Sequence, residues 1–374
     1  MAAATVPPLK ISVLHYQPQG DPMDPVVQDV SDALTSLGHT TSFIAVHDRV
    51  FDLLKAIEKQ KPDLVFNVCE TFADDYRLEV NVAAVLELAR VQFTGSGTAG
   101  LLLAQDKILT KQLLEYHEVI TPNFLTFDGE AFEAFGRMNF PLIVKPARSD
   151  ASIGIGQHSV VKDWDELTKR VREIRKSLND EALAEEFIDG REVYVGVIGT
   201  PTRPEILPIV ELNWGTWNPD VPKVSDREVK FGDTGEDHPH LVIAEDISAE
   251  LKARIERSAL LAYRALKIRD YARVDFRISA KTGEPFVLEV NPNPYLEKDS
   301  ELAMAAEHRG LNYGQLIEKI IESAAIRYGL KVKTEKPEKT TTGETPQPPE
   351  PPATKEAATK ETAKDAAKEQ RANS

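Results

Sequence analysis

Residues 271–294 read YARVDFRISAKTGEPFVLEVNPNP. Alternation places Val274, Phe276 and Ile278 on one face of a first strand, and Arg273, Asp275 and Arg277 on the other. In a second strand Phe286, Leu288 and Val290 are apolar, while Glu289 and Asn291 take the polar side. A three-residue turn at Lys281-Thr282-Gly283, with glycine where a left-handed backbone is needed, sets Asp275 opposite Glu289 and Arg273 opposite Asn291. Facing carboxylates repel and weaken a sheet. Two readings accommodate them. In one, a cation sits between hard oxygen ligands, Asp275, Glu289 and the Asn291 carbonyl, a set suited to Mg²⁺ shared with a nucleotide phosphate. In the other, the face is solvated, and Arg273 and Arg277 neutralise the acids.

The rest of the chain sets bounds. Its 374 residues are enough for about two or three domains. Formal net charge is −15, which argues against nonspecific contact with nucleic acid or an anionic membrane. The single cysteine, Cys69, allows no internal disulfide and no metal-ligand cluster. The opening MAAATVPPLK has no apolar core of the kind a signal peptide needs, and AGLLLA at 99–104 is far short of the ~20 residues that span a bilayer. A soluble, cytoplasmic protein is expected.

From Lys10 to Val68, strand patterns (10–16, 41–46, 63–68) alternate with helical ones (26–38, 51–60), which implies a parallel sheet. QPQGDPMDP follows the first strand, so the dinucleotide fingerprint is missing. Further on, the pattern predicts a helix at 79–90, a long helix from Leu101 to Tyr116, strands at ITPNFLTF, FPLIVKP and HSVV, and a helix at 163–177. ALAEEFI and REVYVGVIG read as strands joined at Asp189-Gly190-Arg191. A polar loop spans 213–240, and helices cover 248–266 and 313–328. Residues 331–374 lack aromatics and carry nine basic against eight acidic residues. Such a segment cannot bury enough apolar surface to offset its ordering entropy, and a disordered polar tail is expected.

A Mg²⁺ site expects phosphate contacts. No G-x-x-x-x-G-K-[ST] is present. Lys145 instead ends an apolar strand, ahead of the small-residue loop SDASIGIG, and Lys107 in QDKILTK follows a second such segment, TGSGTAG. Small residues let backbone N–H groups approach phosphate, and a lysine supplies a point charge. Taken singly, each lysine also reads as an ordinary surface residue.

The order of FNV (66–68), FTGSG (93–97), DK (106–107), VKP (144–146), EEFIDGRE (185–192), RVDF (273–276) and EVNPNP (289–294) resembles the ATP-grasp enzymes, and among them the D-alanine–D-alanine ligase family. The resemblance covers roughly residues 10–330. It implies an α/β fold with α+β lobes: a Rossmann-like parallel-sheet domain over 1–100, a central lobe over 101–184 and a C-terminal lobe over 185–330, with ATP between two antiparallel sheets. It also implies residue roles. Lys107 and Lys145 would contact the α/β-phosphates, Glu185 the adenine edge and Glu192 the ribose hydroxyls. Asp275, Glu289 and Asn291 would hold two Mg²⁺ ions, with Mn²⁺ as a substitute. Arg273 would stabilise an acyl phosphate and tetrahedral intermediate, Ser300 a substrate carboxylate, and Lys230 would close with a mobile loop over the γ-phosphate.

The activity so implied is an ATP-dependent carboxylate–amine ligase joining amino acids, with small carboxylate and amine substrates and a homodimeric assembly. Two alternatives keep the fold: an ATP-binding regulatory protein without turnover, and a carboxylase-type component. Some positions depart from the family. LHYQPQGDPMDP has no glutamate where that family orients an amine. Ala151 replaces the phosphate-loop serine, although Ser152 follows. Tyr295 stands where a glycine is usual, and Phe231 where a tyrosine is usual. The product expected is D-alanyl-D-alanine or a related amino-acid product, and these departures leave room for a different substrate pair, in a pocket to which Glu70, Arg148 and Trp214 contribute unless they are structural or solvent-facing.

Overall fold

The computed structural model describes residues 4–128, 131–149, 152–218, 220–226, 229, 238–331 and 333–334. Lys230, Phe231 and Ala151 lie outside these, as does the tail beyond 334.

The first layer is the anticipated parallel sheet. After a two-residue strand β1 (Ala4–Thr5) come β2 (Lys10–Tyr16), helix α1 (Pro25–Ser36), β3 (Thr40–Val46), helix α2 (Val50–Gln60) and β4 (Leu64–Asn67). Strand order is β3-β2-β4, all parallel, with Leu14, Ile44 and Val65 in the core on one side and Ile11, Val13 and Phe66 on the other. Helices α3 (Glu79–Leu88), α4 (Thr98–Gln105) and α5 (Lys107–Tyr116) follow. The single helix expected from Leu101 to Tyr116 is broken at Asp106, whose extended backbone ends α4 and whose side chain accepts from Leu109 N at 3.0 Å to cap α5.

A five-stranded antiparallel sheet comes next, built from β5 (Phe124–Asp128), β6 (Ala131–Phe135), β7 (Leu142–Pro146), β8 (Val160–Val161), helix α6 (Trp164–Leu178) and β9 (Ala182–Glu186), in the order β6-β5-β9-β7-β8. Because β9 runs to Glu186, the break between the two antiparallel sheets falls in the segment 187–189. The second sheet follows, from β10 (Gly190–Thr200), β11 (Arg203–Asn213), β12 (His240–Ile243), helix α7 (Ala249–Ala265), β13 (Asp270–Ser279) and β14 (Pro285–Asn291), in the order β12-β11-β10-β13-β14. Gly190 opens it with φ +151°, where a Cβ would lie 1.9 Å from the Ile278 carbonyl oxygen, so no other residue fits that turn. Strand β11 has no counterpart in the sequence pattern, which is masked by Pro204 and Pro208. A bulge between the Val195 and Val197 pairs absorbs the second proline.

Helices α8 (Glu301–His308) and α9 (Tyr313–Tyr328) complete the body, and β15 (Lys333–Thr334) pairs antiparallel with β1. Leu316, Ile317, Ile320, Ile321 and Ala324 of α9 share one apolar core with α1, the parallel sheet and Tyr194, Ile198 and Tyr271 of the second antiparallel sheet. On that sheet's other face, Val274, Phe276 and Ile278 pack under Ile255, Ala259 and Tyr263 of α7, as the alternation requires. Full burial of a side chain such as Phe276 contributes about 2–3 kcal/mol.

Candidate active site

The hairpin positions the site, and its register differs from the simple expectation in an instructive way. Ser279 N–H donates to Glu284 O at 2.9 Å and Gly283 N–H to Ser279 O at 2.8 Å, so the turn spans one residue more than expected. Pairing then runs Ile278–Pro285, Arg277–Phe286 and Phe276–Val287, and shifts to Asp275–Glu289 and Arg273–Asn291. Leu288 is the extra residue of a β-bulge. The longer turn and the bulge cancel, and the two carboxylates face one another as expected. The bulge also corrects the face assignments: Val287, not Phe286 or Leu288, joins Val290 in the core. Leu288 lines the cleft instead.

The face is not solvated. Asp275 and Arg277 are each 5% exposed. Arg273 clamps Asp275 through Nε and Nη2 at 2.8 and 3.0 Å and donates from Nη1 to Glu301 at 3.0 Å. Asn291 Nδ2 donates to Asp275 Oδ2 at 3.1 Å, which turns its carbonyl oxygen away from that contact. Burial disfavours the Arg273 charge, but Asp275 and Glu301 outweigh it and hold the guanidinium firmly protonated. Arg277 sits directly across from Glu192 of β10 and pairs with it, Nε to Oε2 at 3.1 Å, while Tyr194 O–H donates to Glu192 Oε1 at 2.9 Å. So the arginines do neutralise acids, within a buried polar network.

The lysines come from the other side of the cleft. Lys107 at the start of α5 donates to Ser149 O at 2.6 Å and pairs with Glu289 at 2.8 Å. Lys145 at the end of β7 pairs with Glu185 of the neighbouring strand β9 at 2.6 Å. The second oxygen of Glu185 meets Lys111, one helical turn after Lys107, and Glu185 and Lys111 are each 1% exposed. Burial pulls Lys111 well below the ordinary lysine range, with Lys145 and Lys107 adding like charge. Lys111 was not singled out from the sequence, although its i+4 spacing from Lys107 in QDKILTK was a usable signal.

Lys145, Ser152, Glu185, Glu192, Asp275 and Glu289 line one cleft, together with Ile143, Ile155 and Phe187. Its lining combines apolar walls, which suit a flat base, with a few convergent polar groups. Ser152 spans the cleft rim, its hydroxyl donating to Ser225 O at 3.1 Å. Lys107, Asn291 and Glu289 line a smaller adjoining cleft with Arg148 and Ser149. Glu70 lines a third with Glu79, Asn293 and Tyr295, whose hydroxyl donates to both oxygens of Asp24 at 2.7 and 2.8 Å. Trp214 is a core residue packed edge-on against Trp217, and lines none of these clefts. Ser300 lines none either. It caps α8, accepting from Ala303 N at 3.4 Å and donating to Glu297 O at 2.7 Å.

The donor set tests the metal expectation. Among the described residues no group of three or more His, Cys, Asp or Glu side chains is arranged to hold an ion. Two carboxylates and one amide carbonyl suit a hard cation that takes its remaining ligands from water and phosphate, and do not suit a protein-only cage. No helix among the described residues is long and apolar enough to cross a membrane.

Comparison with known proteins decides the family. The model for the D-ala D-ala ligase C-terminus matches residues 112–322. The chain belongs to the D-alanine–D-alanine ligase family. A D-alanine–D-alanine ligase of Carboxydothermus hydrogenoformans is 31% identical over 296 residues, 73% of this chain and 90% of that one. The uncharacterized protein y4sG of Sinorhizobium fredii is 33% identical over 319 residues, 83% and 90% of the two chains. In fold, the chain is similar to the crystal structure of Bacillus anthracis D-alanine–D-alanine ligase complexed with ATP, with a TM-score of 0.67 and 23% identity over 86% of this chain and 98% of that one. The ATP-grasp arrangement expected from the motifs, a parallel-sheet unit followed by two antiparallel sheets, is thus the family's own.

Proposed function

We propose that this protein is an ATP-dependent ligase that activates a carboxylate as an acyl phosphate and joins it to an amine, making a peptide or amide bond between amino acids. The observation that carries the reading is the meeting of Lys145, Glu185, Glu192, Asp275 and Glu289 in one cleft, with Lys107 and Asn291 beside it. Phosphoryl transfer needs little covalent chemistry from a protein and much positioning and charge neutralisation. The residues present are of that kind.

By resemblance, Lys107 and Lys145 contact phosphate oxygens, Ser152 supports the phosphate loop, Glu185 and the backbone after it meet the base, and Glu192 accepts from the ribose hydroxyls. Asp275, Glu289 and the Asn291 carbonyl hold two divalent ions, with Mn²⁺ able to replace Mg²⁺. Bound there, the metal neutralises charge on the phosphates. Arg273, fixed by Asp275 and Glu301, presents a permanently charged guanidinium to the reacting carboxylate. Lys230 closes over the γ-phosphate, and Ser300 at the head of α8 binds a substrate carboxylate. Amino-acid substrates, a cytoplasmic location and a homodimer complete the reading. The Tyr295–Asp24 hydrogen bonds occupy the ground where relatives carry a glycine, which favours a substrate pair other than two D-alanines.

An amino-acid panel with ATP and Mg²⁺, read as ADP and phosphate release, tests this. Release that depends on an amino-acid amine supports the ligase. Dependence on bicarbonate, or binding without turnover, overturns it.

A further inference from the structure

Arg277 has no role in the ligase reading, yet the structure spends a buried guanidinium on it. Its Nε and Nη2 both bond Glu192 Oε2, and Nη2 also donates to Lys223 O at 2.6 Å. The guanidinium lies 5.9 Å from the Phe187 ring centroid, on the segment that follows Glu185. Arg277, Lys223, Phe187 and Glu192 all line the cleft. Two donors in this wall, Arg277 Nη1 and Ser225 Oγ, are buried and have no hydrogen-bond partner among the described residues. An unsatisfied buried donor costs about 1–3 kcal/mol and calls for an acceptor.

We propose that Arg277 is the positioning residue of the cleft's sugar end, holding Glu192 as an oriented acceptor for ribose hydroxyls, so that the cleft takes ribonucleotides in preference to deoxyribonucleotides. The inference rests on the ligase reading through the place of Glu192. Its logic is local. Tyr194 fixes one oxygen of Glu192 and Arg277 the other, so at 6% exposure the remaining lone pairs of the carboxylate point in set directions. A buried polar site built for a hydroxyl rejects the analogue lacking it, because its own groups are then left unpaired.

Calorimetric Kd values for Mg-ATP and Mg-2′-deoxy-ATP, with Tm recorded for each protein, test the assignment. The wild-type protein should favour ATP by about tenfold or more. Arg277→Met should weaken ATP by about tenfold while changing 2′-deoxy-ATP by less than about threefold, so that the preference collapses. Arg277→Lys, which keeps a donor for Glu192, should restore part of it, and carries the test alone if the methionine variant does not fold. An equal loss for both nucleotides, or an unchanged preference, makes Arg277 merely structural and overturns the proposal. Wild-type protein that binds ATP and releases ADP with an amine, but whose preference ignores Arg277, sinks this inference alone. Wild-type protein that binds no nucleotide sinks the ligase reading and this inference together.

Discussion

Lys107 Nζ lies 2.8 Å from Glu289 Oε1, joining the first residue of α5 to strand β14 across the boundary of two clefts. A divalent ion bound at Glu289 would share that carboxylate with the lysine. Glu289→Gln removes the shared ligand. Turnover should fall by about 100-fold and the Mg²⁺ requirement should rise. Because the Glu289 side chain is about a quarter exposed, Tm should stay within a few degrees. Steady-state rates across a Mg²⁺ titration check this, and a wild-type rate refutes the metal assignment.

Burial, helped by the like charge of Lys107, pulls Lys145 down to about 8 against the opposing pull of Glu289, Glu192 and Asp275. Its ammonium is therefore present below about pH 8 and fades above it. ATP affinity should weaken as pH rises from 7 to 9.5 in the wild type and stay flat in Lys145→Arg, as read by calorimetry. Fold stability moves the opposite way. The unfolded lysine holds its proton to 10.5, so between the two values the unfolded chain binds more protons, and stability rises with pH. A flat wild-type binding profile would exclude Lys145 as the phosphate contact.

Lys111→Met leaves Glu185 buried with Lys145 as its remaining partner. Removing one partner of a buried pair is expensive, and about 3 kcal/mol of stability should be lost. Adding Glu185→Gln should recover part of it. Urea unfolding of the four proteins of this cycle supplies the numbers. Additive losses would show that the two side chains do not interact.

Asp270 is fully buried and accepts from Gly95 N at 2.9 Å, Ser323 O–H at 2.8 Å and Arg327 Nη2 at 2.6 Å. It ties the FTGSG loop and α9 to the start of β13. Asp270→Asn keeps a side chain tolerant of the positive φ of 72°, so backbone strain is not the variable. The change should cost about 3–5 kcal/mol, because Arg327 loses its anion. Thermal unfolding within 2 °C of wild type, on the order of half a kcal/mol, would remove Asp270 as the fastener.

Period-two alternation made the hairpin, the parallel sheet and the apolar face under α7 legible, because burial on one side leaves a sequence record. The bulge at Leu288 and the longer turn left none, and the facing of Asp275 and Glu289 was anticipated only because they cancel. Pro204 and Pro208 hid an eleven-residue strand, since the bulge that accommodates a proline is a property of two strands and not of one. The pairs Arg277–Glu192 and Lys111–Glu185 were invisible for a related reason: each joins residues more than seventy positions apart, and each partner alone looks like an ordinary surface charge. Lys230 carries a role only through resemblance.

Strand β1 pairs with β15, Ala4 with Thr334 and Thr5 with Lys333, so the first and last described segments lie side by side. A short linker could weld them, and new ends could be opened at an exposed loop tip such as Lys281–Thr282. Such a circularly permuted ligase would keep every clasp around the cleft while freeing the hairpin that bears Asp275 and Glu289 from its covalent turn. Whether those carboxylates need the turn, or only their neighbours, would then be a measurable quantity.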